Sequence, residues 1–431
     1  MVETPETNEQ EQSPPTDDFP EGGYGWICVI CIFFINAHTW GINSAYGVIL
    51  SFYLSHDEFP GTPALVYALV SGLSISCALL IAPVVTSFTP ILSLRFFVVL
   101  GAILEAGSMI GASFTTQSWQ LFLSQGICFS QGLACLFMST VGIPNQWFKK
   151  RRGIANGIVA AGSGTGGLIY SLATNRMIEQ FGFRWAFRIL GIISFTVNLS
   201  CGMLVRERRP AASVVSLKKR HFLGLNPSLF RKPTFLLFLT WGFFSIIGYI
   251  ALLFSLASYA QSIGLSSSTG SLASALLNLG QALGRPLVGF LSDHFGRIRV
   301  PAIATALCGF FCLVFWPLTS SPVSLFAFSI LAGMEAGTIW ASAAAMAAEL
   351  VELPEVGGAL SILWLVLVAP GTVAEVLALE LRGVGSVKIG KNERYFAVQM
   401  FTGAVYLAAA GALALQMVLM RREKKRGGKM G

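Results

Sequence analysis

The side chains with the most chemical potential in this sequence are charged or titratable groups set inside apolar stretches. Arg285 lies deep in the apolar run 269–291, with Asn278 and Gln281 seven and four residues before it. At helical spacing the three share one face. A guanidinium is costly to bury in hydrocarbon, so such residues mark functional sites by default. The alternative is a structural arginine paired with an internal carboxylate. Glu105, Glu335 and Glu375 lie in other apolar runs. Glu335, near the middle of run 323–349, is the best placed to carry a proton, as carboxyls in proton relays do; otherwise it is a hydrogen-bonded packing residue. Glu105 is expected to pack between helices and Glu375 to approach an interface. His38 carries the ring that exchanges protons near neutral pH, although a lone histidine on a span also serves as a helix-to-helix donor. Asn36, Asn43, Tyr46, Tyr170, Tyr249 and Trp364 are further candidates to line a cavity, each readable alone as packing.

Other chemistries are poorly supplied. All eight cysteines lie in apolar stretches. Cys28 and Cys31 form a C-x-x-C, but no second pair and no histidine at metal spacing accompanies it, so they read as small packing residues. The histidines, His38, His56, His221 and His294, are scattered, which argues against a membrane enzyme. Gly162, Gly164 and Gly167 spell G-x-G-x-x-G, yet a dinucleotide site needs a preceding strand, and here a basic loop leads into an apolar helix. The G-x-x-x-x-G-K-S/T phosphate loop is absent. No metal and no cofactor is expected.

The elements that must position these residues follow from composition. Of 431 residues, 54% are apolar and only 12% charged, about half the charged share of a soluble domain; the mean hydropathy is +0.67. Soluble enzymes, nucleic-acid binders and disordered scaffolds are excluded. A membrane helix needs about 20 apolar residues. Twelve such runs occur, near 26–52, 64–88, 96–114, 119–144, 153–175, 185–205, 234–260, 269–291, 300–318, 323–349, 357–377 and 395–420. They are too long and too uniformly apolar for the alternating strands of a membrane barrel. The expected organisation is a disordered acidic cytosolic tail over 1–25, a six-helix bundle over 26–205, a basic cytosolic linker over 206–233, a second six-helix bundle over 234–420, and a basic cytosolic tail over 421–431. The acidic start lacks the basic region of a secretory signal. With both termini cytoplasmic, 21 Lys and Arg fall on the inner side and 6 on the outer, as positive-inside topology requires. The net charge of +8 therefore reports orientation in a bilayer, not a nucleic-acid partner.

Three motifs narrow the reading. Gly289-Phe-Leu-Ser-Asp293-His-Phe-Gly296-Arg297 joins the eighth and ninth runs; it resembles the loop signature of the major facilitator superfamily. The first-half counterpart, Thr89 to Arg95, lacks the Asp and the Gly-Arg. Pro20-Glu21-Gly22-Gly23-Tyr24-Gly25-Trp26 and Trp147-Phe148-Lys149-Lys150-Arg151-Arg152-Gly153-Ile154-Ala155-Asn156-Gly157 resemble the two signatures of the monocarboxylate porter family. Asn36-Ala-His38-Thr-Trp40-Gly41 and Leu277-Asn278-Leu-Gly280-Gln281-Ala-Leu-Gly284-Arg285-Pro286 look closest to its fungal branch.

The resemblance implies an all-α membrane protein of twelve helices in two six-helix bundles, rocking about a central site. It further implies a secondary transporter of a small organic, carboxylate-bearing solute, with export of a fungal secondary metabolite favoured. Uptake of a monocarboxylate or vitamin-like solute and a non-transporting nutrient sensor are the alternatives, the short tails speaking against a sensor. In the family the counterpart of Arg285 is a ligand of the substrate anion. Gln281, Asn278, Asn43, Tyr46, Tyr170 and Trp364 complete the expected substrate site. Glu335 and His38 are the proton-coupling candidates, and Gly289, Asp293, Gly296, Arg297, Lys150, Arg151 and Arg152 the gating loops. Two departures matter: proton-coupled animal members place Asp where Gln281 stands and Lys where Ser44 stands. Both weigh against lactate-type proton symport and for a larger, less acidic substrate. The expected partners are the solute, a proton gradient and the lipid bilayer, in the plasma membrane, with the vacuolar membrane as the alternative.

Overall fold

The computed structural model describes residues 20–56, 58–208, 225–382 and 395–427, and among them every regular element is helical. In chain order the span-length units are α1 (Tyr24–Ile49), α2 (the bent pair Leu65–Leu80 and Ala82–Leu92), α3 (Leu94–Ala112) and α4 (Ser118–Trp147). There follow α5 (Arg152–Phe181), α6 (Phe183–Leu204), α7 (Pro233–Ser262) and α8 (Ser267–Phe295). The last four are α9 (Arg299–Leu318), α10 (Pro322–Leu350), α11 (Leu353–Glu380) and α12 (Phe396–Glu423).

Nine of these are long and apolar enough to cross a membrane unaided, and α2, bent by 47°, makes a tenth. The remaining two, α5 and α8, are long at 30 and 29 residues but diluted by glycine, serine and asparagine. The reason is where they sit. They pack against each other across the seam between the two bundles, so small residues replace lipid-facing ones. A Cβ on Gly164 would stand 2.8 Å from the Ala282 nitrogen, and one on Gly157 3.0 Å from Pro286 Cα. On the outward surfaces the pattern reverses: Ile27, Ile30 and Phe34 of α1 and Leu283, Leu287 and Phe290 of α8 are exposed, as lipid contact demands.

Inside the first bundle α1 packs on α5 and α6, and α3 on α4 and α6; in the second, α7 packs on α11 and α12, and α8 on α10. Besides the α5–α8 seam, α2 meets α11, where the Ser76 and Thr372 hydroxyls lie 2.5 Å apart. Several helices are interrupted. α1 breaks at Thr39, whose Oγ1 donates back to the Ile35 carbonyl at 2.8 Å. α10 breaks at Gly337, and α4 and α9 contain π-turns over Phe122–Cys128 and Phe311–Phe315. Such interruptions cluster at functional positions.

Two expected boundaries move. Helix α1 begins at Tyr24, and Glu21 is already engaged by the fold, so the expected tail ends earlier than residue 25. The last helix runs on from Phe396 to Gly427, past residue 420, because Arg, Lys and Glu are good helix formers outside the bilayer. Residues 1–19, 209–224 and 383–394, which carry most of the acidic tail, part of the basic linker and an outer basic loop, lie outside the described residues, as does His221.

Candidate functional site

A central cavity, partly open, lies between the bundles. It is walled by α1, α2, α4 and α5 on one side and by α7 and α10 on the other, and none of its lining residues carries a charge. The break at Thr39 delivers Trp40 to the wall, and the break at Gly337 delivers Trp340; their rings approach to 5.1 Å across the two bundles. Asn36, Asn43, Asn156, Ser44 and Ser163 supply the polar lining. Asn43 donates to Ser74 Oγ at 2.7 Å and Asn36 to the Val159 carbonyl at 3.1 Å. Asn36 Oδ1 and Trp40 Nε1 are buried without a partner among the described residues.

Arg285 stands one layer behind this wall, only 1% exposed. Its Nη1 donates to the Ala160 carbonyl at 2.7 Å and to Ser163 Oγ, both on α5 in the opposite bundle, and its Nη2 donates to Gln281 Oε1. Gln281 in turn donates to Asn278 Oδ1 at 3.2 Å and accepts from the Tyr249 hydroxyl at 3.1 Å. The one-face spacing of Asn278, Gln281 and Arg285 thus becomes a hydrogen-bonded row that meets the cavity through Tyr249 and Ser163. No carboxylate pairs with Arg285 among the described residues, and its Nε has no partner. Room for the guanidinium comes from the break in α10: a Cβ on Gly337 would stand 2.7 Å from Nη2.

At the basic end the bundles are latched. Asp293 accepts from the backbone N–H groups of Gly153 at 2.8 Å and Ile154 at 2.9 Å, the first free donors of α5. Arg297 pairs with Asp293 at 3.4 Å, with Glu349 of α10, and donates to the Lys149 carbonyl. Asn145 adds a donor to the Ala344 carbonyl at 3.0 Å. Gly289 and Gly153 touch backbone to backbone, and Gly296 holds φ at 114°, where only glycine is comfortable. The basic cluster divides: Lys150 and Arg151 point outward, while Arg152 is buried and donates to the Phe148 carbonyl at 2.9 Å.

A family model described as Major Facilitator Superfamily matches residues 26–270 and 242–428. The chain belongs to the major facilitator superfamily. It is 34% identical over 400 residues to the uncharacterized transporter ESBP6 of Saccharomyces cerevisiae, covering 90% of this chain and 58% of that protein. It thus spans little more than half the length of that relative. It is 31% identical over 395 residues to the probable transporter MCH2 of the same yeast, covering 91% of this chain and 82% of the relative. To the fujikurins efflux protein of Gibberella fujikuroi it is 27% identical over 339 residues, covering 77% and 69%. Among solved structures, FucP in the outward conformation aligns with a TM-score of 0.67 at 12% identity, covering 90% of this chain and 98% of FucP. The proton:xylose symporter XylE aligns at 0.66 and 12%, covering 90% and 94%. These two share the fold. Membership places the chain among membrane transporters, not enzymes.

The other expected site residues of this facilitator scatter around the cavity. Asn43 lines it; Tyr46, Tyr170 and Trp364 do not. The Tyr46 hydroxyl donates to the Tyr67 carbonyl at 3.2 Å, and Trp364 stacks on Trp340 at 5.6 Å. His38 sits outside the lining, its Nδ1 2.8 Å from the Phe34 carbonyl and its ring edge-on to Tyr170. Glu335 is half-buried on α10 with no side-chain hydrogen bond among the described residues, and it also stands off the cavity. Glu105 is fully buried between α3 and α6, accepting from Asn198 at 2.9 Å. Sequence reasoning missed Ser163, Trp340, Gly337 and Glu349. Their roles depend on partners in the other bundle, and no local pattern signals them.

The two porter signatures meet in space. A Cβ on Gly25 would stand 2.9 Å from Trp147 Cβ, and Trp26 lies against Phe148 at 4.7 Å. Glu21, held at φ 54°, accepts from the backbone N–H groups of Lys149 at 2.8 Å, Lys150 at 2.6 Å and Arg151 at 3.2 Å. Partial burial alone would raise its pKa, but the three amides and the Lys150 charge outweigh that and hold it below the usual carboxylate value. A folded pKa below the unfolded one means the contact stabilises fully above the ordinary carboxylate range and is lost as pH falls through the lowered value. Glu21→Gln is expected to speed amide hydrogen exchange over 149–151 at neutral pH, whereas the wild type reaches that state only in strong acid. Equal protection in both proteins at neutral pH would refute the clamp.

Proposed function

We propose that this protein is a proton-driven secondary transporter exporting a small organic acid, with its basic, latched end in the cytoplasm. The observation that carries the reading is Arg285, a fully buried cation with no carboxylate partner among the described residues, one layer behind an uncharged central cavity. An unpaired buried charge is expensive, and an anionic solute is the natural counter-ion. Arg285 bonds across the seam to Ala160 and Ser163 of α5. Rocking the bundles apart breaks those bonds, and a bound carboxylate replaces them. The solute thereby stabilises the step that carries it. Export accords with the name of one relative, an efflux protein, and the 21-to-6 bias of basic residues supports the orientation.

The test is flux in proteoliposomes with labelled carboxylic acids and an imposed pH gradient. Accumulation driven by the gradient is expected. In Glu335→Gln that accumulation is expected to vanish while acid-for-acid exchange persists, because exchange needs no net proton movement. Absence of flux for every acid tried overturns the reading. Loss of both accumulation and exchange in Glu335→Gln removes Glu335 from proton coupling and makes it structural.

A further inference from the structure

We infer that the body of the transported solute is a flat, conjugated ring system bearing a carbonyl-type acceptor on one edge, an inference that rests on the acid-transport reading above and names the substrate class of the same site. Five aromatic residues line the cavity, Trp40 and Phe137 from the first bundle and Tyr249, Phe254 and Trp340 from the second. Four of them touch one another across the two bundles and form one aromatic face. Trp40 lies 5.1 Å from Trp340 at 42°, and edge-on to Phe137 at 5.6 Å and 87°; Tyr249 stands at 73° to Trp340. Aromatic rings prefer offset-stacked or edge-to-face partners, so such a face favours planar π-systems over puckered rings of equal volume. Trp340 is itself braced by Trp364, stacked behind it at 19°, and Trp40 is fixed because Gly41 packs on Gly166, where a Cβ would stand 2.7 Å from Gly166 Cα.

A second observation is independent of the rings. Trp40 Nε1 is buried with no hydrogen-bond partner among the described residues, although Trp40 lines the cavity. An indole N–H is a donor only, and leaving it unmatched is costly. An acceptor oxygen on the edge of a bound ring answers it. With no charge in the lining, nothing in the cavity itself favours a polycharged body. The acid group is left to Arg285.

Equilibrium binding to the purified full chain tests this with probes of known shape. Naphthoate is expected to bind about tenfold or more tighter than decahydronaphthoate, which has the same carbon skeleton and charge but puckered rings, since each aromatic contact contributes a few-fold in affinity. Trp340→Leu should bring the two to near parity. Anthraquinone carboxylate should bind tighter than anthracene carboxylate, and Trp40→Phe, which keeps a ring but loses the N–H, should erase that gain. Equal binding of naphthoate and decahydronaphthoate to the wild type overturns the planar-ring inference and leaves acid transport standing. Planar preference that is intact in Arg285→Ala, with unchanged affinity, overturns the acid reading alone. No binding of any of these acids overturns both.

Discussion

Replacing Arg285 by alanine abolishes flux of an acidic solute without unfolding the protein. The guanidinium is 1% exposed and pairs with no carboxylate among the described residues; its contacts are a backbone carbonyl, a hydroxyl and an amide oxygen. Taking an unpaired charge out of such a site relieves desolvation, so the expected thermal stability is unchanged or raised. Arg285→Met, closer in volume, is expected to be the more stable of the two variants. Flux behaves oppositely, because the cation that meets the cavity through Ser163 and, by way of Gln281, Tyr249 is gone. A lost charge-assisted pair is worth roughly 2–5 kcal/mol, about two orders of magnitude or more in rate. Arg285→Lys tests geometry. It keeps the charge, but a compact ammonium cannot hold the Ala160 carbonyl and Gln281 Oε1 as a planar fork does, and partial flux is expected. Melting curves alongside initial rates check all three variants. Flux retained in Arg285→Ala would take the residue out of the site, and a sharp fall in melting temperature would make it structural.

The helices were legible because apolar runs of span length have one physical meaning in a chain so poor in charge. The row Asn278, Gln281, Arg285 was legible for the same kind of reason: helical spacing puts them on one face whatever surrounds them, and the hydrogen bonds that join them are local. What lies on the far side of that face was not. Ser163 and Ala160 meet Arg285 from more than a hundred residues away, and Gly337 matters only because α10 breaks where the guanidinium needs space. The aromatic face was hidden in the same way. Trp40 and Trp340 read as ordinary interior residues until two helix breaks, at Thr39 and Gly337, bring them within 5.1 Å. Hydropathy ranked α5 and α8 below the other spans, yet they form the central seam. A helix that faces helices on several sides is built of glycine and serine, and that composition lowers its apolar score.

Asp293→Asn is expected to open the basic end and slow transport by at least about tenfold. The carboxylate is 6% exposed at the end of α8 and receives the first two free N–H groups of α5 at 2.8 and 2.9 Å. A helix N-terminus carries about half a positive charge and orphan donors, so an anion from the opposite bundle is its best cap. Gly153 makes the approach possible, since a Cβ there would stand 2.9 Å from Asp293 Oδ1. The amide of asparagine keeps one acceptor but turns its NH₂ toward the second donor and drops the charge. Hydrogen bonds to charged groups contribute about 1.5–3 kcal/mol each. Losing one and weakening the other moves the closed-to-open ratio by roughly a hundredfold. Arg297 then keeps Glu349 and the Lys149 carbonyl but loses Asp293 as a partner. Nitroxide labels on Lys150 and His294, exposed residues on the two sides of the latch, report the change as a loss of the short-distance population, in a background depleted of the eight free cysteines. A distance distribution identical to that of the wild type would mean that the seam between Gly153 and Gly289 holds this end shut by packing alone. The transport cycle would then have to open it against backbone contact rather than by releasing a charge.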